Sequence, residues 1–338
     1  MSQSMTVTIA EPEFPDAKMH LIRPKQPAVA RVVETRLCTK AGKKAAGIVR
    51  HIALDVSGSA IAGNFLVGQS FGVLPPGRDE MDKPHALRLY SIASPSFGED
   101  GSGNVVATTV KRTIGEREPE TGDEEPDKHE LFLGVASNYL CNLNIGDEVK
   151  ITGPQGKRFL LPIDTSAHDY IFLATGTGIA PFRGMLMELL EGPAGAVRSQ
   201  IHLIMGCAFT TDLLYDDWLR DLAAKHRNFH YHTAISREMS SPPGAGRDGC
   251  RGEYCHHVFA RHFAQGFAPL FECGRALIYI CGILGMQFGV YQEIARTSAA
   301  DLYLTIHDDL KSRDPASWSI EDMKRKVHPA RRLMVEVY

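Results

Sequence analysis

No Cys-x-x-Cys pair occurs in the 338 residues, and no apolar run approaches the roughly 18 residues that a membrane-crossing helix needs. Seven cysteines, at 38, 141, 207, 250, 255, 273 and 281, are an odd number without paired spacing and read as reduced thiols. Cys250 and Cys255 have the gap that opens a plant-type iron-sulfur motif, but the Cys-x-x-Cys that should follow is missing. Any such cluster belongs to another protein. The start, Met1 to Asp16, carries three acidic residues and no apolar h-region, so no secretory signal is expected. Basic excess is absent too: 37 Lys and Arg stand against 40 Asp and Glu, a net charge of -3 that does not invite nucleic acid. The 14 histidines, His256-His257 and His230-x-His232 among them, lack a third ligand at metal spacing, so no metal is expected. These absences predict a cytoplasmic protein without a transmembrane segment.

What is present is ordinary globular material, with 43% hydrophobic and 23% charged residues. At roughly 150 residues per domain the length allows two cores. Residues 1–26 lack periodicity and read as an N-terminal arm. From Pro27 short β-rich runs, Ala28 to Thr35, Gly47 to Asp55, Ser70 to Leu74, Leu87 to Ile92, Asn104 to Val110 and Glu148 to Thr152, alternate with Gly, Pro and Asp. That spacing predicts an antiparallel barrel or sandwich over 27–163. Gly115 to Glu130, with eight acids, two prolines and no aromatic, reads as a solvated loop.

Over 164–338 strand and helix alternate. Strands are expected at Tyr170 to Ala174, Ile201 to Met205, Phe229 to Ile235, Ala276 to Cys281 and Leu333 to Tyr338, and helices at Pro181 to Leu190, Asp212 to Lys225 and Met286 to Ala300. This is the pattern of a Rossmann-like parallel sheet wrapped by helices. The expected fold class is therefore two-domain, β followed by α/β.

Four short stretches carry chemistry. In Arg88-Leu89-Tyr90-Ser91-Ile92-Ala93-Ser94, alternation puts Arg88 and Tyr90 on one face, where a guanidinium and a phenol meet a phosphate and a flat ring. A strand with an exposed Arg and Tyr explains the same pattern. Thr175-Gly176-Thr177-Gly178 joins an apolar strand to a helix with Pro181 in its first turn, a place for a pyrophosphate or a plain packing turn. Ser236-Arg237-Glu238 ends a strand and, with Tyr254, suits a 2'-phosphate as well as it suits open surface. Cys281-Gly282 repeats the strand-to-helix turn, and Cys281 is either a substrate neighbour or a small buried residue.

Taken together, these stretches resemble the plant-type ferredoxin-NADP reductase family. Gly134-Val135-Ala136-Ser137-Asn138-Tyr139-Leu140-Cys141, Thr152-Gly153-Pro154-x-Gly156, Tyr279-Ile280-Cys281-Gly282 and Val335-Glu336-Val337-Tyr338 join the others in the family's order and spacing, from about Pro24 to Tyr338. The resemblance implies an FAD-binding barrel and an NADP(H)-binding α/β domain. It puts Arg88, Leu89, Tyr90 and Ser91 on the flavin strand and Gly134, Val135, Ala136 and Ser137 on the turn at the FAD pyrophosphate. Lys111 falls on the strand facing the nucleotide and Thr177 in the NADP pyrophosphate loop. Ser236, Arg237 and Tyr254 match the 2'-phosphate and adenine site, and Ser91, Cys281, Glu336 and Tyr338 the catalytic cluster, with Tyr338 also stacked on the flavin.

The implied activity is hydride exchange with NADP(H) and single-electron exchange with a separate ferredoxin or similar iron-sulfur carrier. Arg23, Lys25 and Lys83 fall near docking positions for that acidic partner, and a monomer is expected. Two other readings accompany it: a reductase component feeding a dedicated oxygenase, similar to benzoyl-CoA oxygenase systems, and a non-catalytic flavoprotein sensor or assembly module. Three departures stand out. Thr113-Ile114-Gly115 replaces the aromatic residue expected near the FAD adenine, Pro242 to Gly252 is inserted in the 2'-phosphate loop, and His256 replaces a glutamine.

Overall fold

Alternating apolar residues between Ala28 and Gln155 produce strands that pair antiparallel in every described case. The computed structural model describes residues 11–40, 47–117, 130–238 and 252–338. The chain divides into two compact units, one holding Ala17–Thr39 and Gly47–Gly156. Its strands are β1 (Ala28–Leu37), β2 (Val49–Asp55), β3 (Ser70–Leu74), β4 (Arg88–Ser91), β5 (Val105–Lys111), β6 (Ile114–Arg117), β7 (Glu130–Leu133) and β8 (Glu148–Gln155), with helix α1 (Val135–Asn142).

Six of these strands form one sheet in the order β4-β3-β8-β1-β2-β5. At its margins the Ala93 N–H donates to the Ala107 carbonyl at 2.7 Å and the Thr108 hydroxyl to the Ser91 carbonyl at 2.9 Å. The two ends of the sheet are therefore tied together, as in a barrel. Inward positions such as Val32, Ile52, Phe71, Val106 and Ile151 fill it, and α1 adds Leu140 and Cys141. Residues on the expected arm take part: Ile22 is buried and exchanges backbone hydrogen bonds with Gly153 at 2.9 and 3.0 Å.

One expectation needs correction. The segment Gly115 to Glu130 is not wholly loop, because its two ends are strands: β6 pairs with β7 in a two-stranded ribbon. Composition hid this, since the acids lie mostly between the strands, in 118–129, outside the described residues.

The other unit comprises residues 11–16, Lys40 and Lys157–Tyr338. It contains β9 (Asp169–Thr175), β10 (Ile201–Cys207), β11 (Phe229–Ile235), β12 (Ala276–Gly282), β13 (Leu304–Ile306), β14 (Val327–Pro329) and β15 (Leu333–Val337). The helices are α2 (Ile179–Glu191), α3 (Asp216–Lys225), α4 (Cys255–His262), α5 (Ala268–Glu272), α6 (Leu284–Ala295), α7 (Ala300–Tyr303), α8 (Asp308–Lys311) and α9 (Ile320–Lys326). The main sheet, β11-β10-β9-β12-β15, is entirely parallel. Its centre is covered on both faces: Ile171, Leu173, Ile278 and Ile280 pack toward α4 and α6, while Phe172 stacks on Phe182 of α2 at 4.9 Å. Central strands buried on both faces are continuous apolar runs for this reason.

Helix α3 starts at Asp216 rather than Asp212, because Tyr215 adopts a left-handed conformation (φ 58°) that no continuous right-handed helix accommodates. Among the first residues of this unit, the Glu13 carbonyl accepts from the Ile163 N–H at 2.8 Å, and Glu11 meets the buried Arg332 at 3.3 Å.

Candidate functional site

In the parallel sheet the strand order reverses between β9 and β12, since β10 lies on one side of β9 and β12 on the other. Open α/β sheets bind ligands outside the carboxyl ends of the strands at such a reversal. The two turns that leave these ends touch. A Cβ on Gly178 would stand 2.0 Å from the Cys281 carbonyl oxygen, and one on Gly282 (φ +149°) 2.0 Å from the Thr175 hydroxyl. Only glycine permits that approach. Thr175 closes the junction by accepting the Ile283 N–H at 2.9 Å. Thr175 opens the turn that the sequence singled out, but its closing role was not legible there.

At the head of α2 no side chain caps the helix. Instead the phenol oxygen of Tyr338 lies there, 2.7 Å from the Thr177 hydroxyl and donating to the Thr175 carbonyl at 3.2 Å. The Tyr338 N–H donates to the Gly282 carbonyl at 3.0 Å, yet the residue as a whole is 68% exposed. Its tip is anchored while its ring remains open to a partner. Free N–H groups at a helix start attract anions, so this phenol stands at the place a pyrophosphate would contest.

Cys281, Glu336 and Tyr338 share one end of the sheet. Strand register sets Cys281 directly beside Glu336, and Tyr338 follows two residues later on the same side. Burial pushes the Cys281 thiol up, with the Glu336 charge adding to it. The thiol is therefore neutral and acts as packing surface. Burial also raises the Glu336 carboxyl from its ordinary 4.5 to about 7. Between those two values the folded protein holds a proton that the unfolded chain releases, so stability falls as pH rises from 4.5 through about 7. Glu336→Gln should therefore be more stabilising, relative to the unmodified protein, at pH 8 than at pH 5, by about 2 kcal/mol. Urea midpoints of both proteins at the two pH values test this, and a constant difference contradicts it.

Toward the other edge of the sheet, β10 and β11 end at Cys207 and Ile235. The Ser236 N–H and hydroxyl both donate to the Cys207 carbonyl, at 2.9 and 3.2 Å, and Arg237 is exposed just beyond. Glu238 turns away, accepting the Thr210 N–H at 2.8 Å. Gly252 packs so closely on Ser236 that a Cβ would meet its carbonyl at 2.4 Å. The Tyr254 ring opens α4 and lies nearly parallel to His256, 5.7 Å away. The inserted stretch 242–252 falls, up to residue 251, outside the described residues.

Within the barrel unit, Arg88 and Leu89 are exposed and Tyr90 and Ser91 half-buried. Burial, with the Cys141 thiol of α1 nearby, pushes the Tyr90 phenol up to about 12, against a lowering by Arg88. It is a neutral hydrogen-bonding ring at working pH. Helix α1 again lacks a side-chain cap. Gly134 precedes it, and Ser137 folds back to donate to the Gly134 carbonyl at 3.2 Å while accepting the Thr113 N–H at 3.1 Å. The first-turn N–H groups at Val135 and Ala136 have no intrahelical partner by position and can serve an external acceptor. Arg112 fixes the helix through Asn138 and Asn142, at 3.4 and 2.6 Å, a clamp the sequence did not disclose. Lys111 is exposed at the end of β5.

Of the expected residues, Thr177 and Tyr338 are in hydrogen-bond contact and Cys281 pairs with Glu336 at the same end of the sheet, Ser236, Arg237 and Tyr254 belong to the same unit, and Arg88 to Ser91, Lys111 and Gly134 to Ser137 belong to the other.

The oxidoreductase NAD-binding domain family matches residues 172–292. Among curated relatives, a ferredoxin-NADP reductase of Thermosynechococcus vestitus is 35% identical over 96% of this chain and 76% of its own length. A root isozyme of Arabidopsis thaliana is 36% identical over 86% of this chain and 74% of its own. The chain belongs to the ferredoxin-NADP reductase family. A Synechocystis member is 37% identical, and 66% of its length is matched. Among solved structures, a Plasmodium falciparum ferredoxin-NADP+ reductase mutant in complex with 2'P-AMP superposes with a TM-score of 0.65 at 21% identity, covering 95% of this chain and 99% of that one. Ferredoxin-NADP reductases thus share both the sequence and the architecture described here. Among the described residues no helix is long and apolar enough to cross a membrane.

Proposed function

We propose that this reductase uses FAD to exchange a hydride with NADP(H) and single electrons with a separate ferredoxin. The observation that carries this reading is the convergence of Thr177, Cys281, Glu336 and Tyr338 at the reversal of a parallel sheet, in a chain whose relatives are named ferredoxin-NADP reductases.

The residues present suit both cofactors. The uncapped start of α1 and the exposed guanidinium of Arg88 supply donors for a flavin pyrophosphate, with Tyr90, Ser91 and Leu89 along the flavin and Lys111 beyond. Bound there, FAD couples a two-electron hydride to two one-electron transfers. Ser236 and Arg237 hold the 2'-phosphate, which competes with the Cys207 carbonyl for the Ser236 hydroxyl proton. Tyr254 faces adenine. Cys281 excludes water and shapes the nicotinamide place. Glu336, protonated on the acid side of neutrality, stores a proton beside it, and Ser91 offers a hydroxyl on the flavin strand. Tyr338, whose ring is exposed, would give way to nicotinamide when the coenzyme binds.

Exposed Arg23, Lys25 and Lys83 suit an acidic ferredoxin. We assign FAD to 27–163 and NADP(H) to 164–338, and take the protein as a monomer in the cytoplasm, where thiols such as Cys38 and Cys273 remain reduced.

The purified chain should be yellow, with one non-covalent FAD, and should reduce a plant-type ferredoxin with NADPH. Arg88→Ala should weaken FAD by roughly 10-fold or more, as expected for a lost charge-assisted contact. Absorbance near the flavin bands and ferredoxin-coupled cytochrome reduction are the readouts. A folded protein that takes up no flavin sinks the proposal.

A further inference from the structure

We infer that Phe132 holds the adenine ring of FAD, in place of the aromatic residue that Thr113-Ile114-Gly115 does not supply. This rests on the FAD reading above and adds a contact that none of the residues already assigned makes.

The β6–β7 ribbon pairs Ile114 with Leu133, Gly115 with Phe132 and Glu116 with Leu131. Its apolar side chains face outward: Phe132 is 45% exposed, and Ile114, Leu131 and Leu133 are exposed as well. A two-stranded ribbon by itself is marginally stable in water. Alternation puts Phe132 on one face and the three aliphatic residues on the other. A purine is recognised best by a flat ring, which selects the Phe132 face. The cross-strand neighbour on that face is Gly115, where even a Cβ would lie 3.9 Å from the Phe132 ring, so that neighbour brings no side chain over it.

The ribbon is also held at the right place. The Gly134 N–H donates to the Thr113 carbonyl at 3.0 Å, the Asn138 side chain donates to the same carbonyl at 2.8 Å, and the Thr113 N–H donates to Ser137. The base of the ribbon is thereby tied to the uncapped start of α1. Phe132 lies two residues before Gly134, about 6 to 7 Å along a strand. That is the order of the span from a phosphate across one ribose to its base. The apolar ring thus stands one nucleoside away from the donors proposed for the pyrophosphate.

The test titrates the flavin-depleted full chain with FAD and, separately, with FMN, which lacks the adenosine half, by flavin fluorescence. Phe132→Ala should weaken FAD by about 5- to 100-fold, the worth of one base-aromatic stack, while FMN binding stays within about twofold. Phe132→Tyr should restore FAD affinity. Equal weakening of both flavins would show that Phe132 merely supports the ribbon, and no change in either would show that it is idle. A selective FAD loss in Leu131→Ala instead would put the adenine on the opposite face. Each of these results overturns the inference while leaving the FAD reading intact. Wild-type protein that binds neither flavin overturns both.

Discussion

Tyr338→Ser should bind oxidised NADP more tightly than the unmodified protein and turn over more slowly. The phenol of Tyr338 is anchored at the head of α2 by Thr177 and the Thr175 carbonyl, while its ring is open. Under the proposed mechanism nicotinamide must displace that ring from the flavin. Offset stacking of two rings is worth about 0.5 to 1.5 kcal/mol beyond burial, so removing the competitor should tighten NADP by about 2- to 12-fold from this contact alone. Loss of the phenol also frees the α2 turn for the pyrophosphate. Tighter ground-state binding does not speed the reaction, because a nicotinamide that stacks before the transition state must also leave. The expected signature is a lower dissociation constant with a lower kcat. NADH, lacking the 2'-phosphate anchor, should gain more than NADPH. Flavin difference spectra with oxidised NADP, and steady-state rates with both coenzymes, decide the matter. If binding, rates and preference are all unchanged, Tyr338 is a surface residue and its assignment to the flavin falls.

Arg237→Ala should cost NADPH about one to two decades in kcat/KM and leave NADH nearly unchanged. A charge-assisted contact to phosphate is worth roughly 1.5 to 3 kcal/mol. Arg237 is exposed beyond β11, with Glu238 engaged by Thr210 instead. Ser236→Ala should have the smaller effect, since its hydroxyl already serves the Cys207 carbonyl. Equal losses with both coenzymes would mean that Arg237 supports the loop and does not read the 2'-phosphate.

Much of the architecture was legible in local pattern. Period-two runs separated by Gly and Pro announced the barrel strands, and Phe229 to Ile235 and Ser70 to Leu74 begin and end where the pattern placed them. Continuous apolar runs such as Tyr170 to Ala174 announced a sheet buried on both faces, for a parallel strand has no solvent side. The ribbon at Ile114 and Leu131 escaped because its strands are four residues long and carry exposed apolar side chains, which leave no buried face to give a period. Tyr215 likewise interrupted an amphipathic run that a helix would otherwise have continued.

For the site, residue type and order along the chain were enough to nominate Cys281, Glu336 and Tyr338, and to choose strand-to-helix turns for the phosphates. Three things waited for the tertiary structure. The reversal of strand order between β9 and β12 is a long-range pairing that no local window contains. The 2.0 Å approaches that demand Gly178 and Gly282 arise only when two turns more than 100 residues apart in sequence are packed together. The raised carboxyl of Glu336 comes from desolvation, a property of what surrounds the side chain and not of the side chain itself. Composition and periodicity are local and determine which elements form; register, close approach and burial depend on which elements meet.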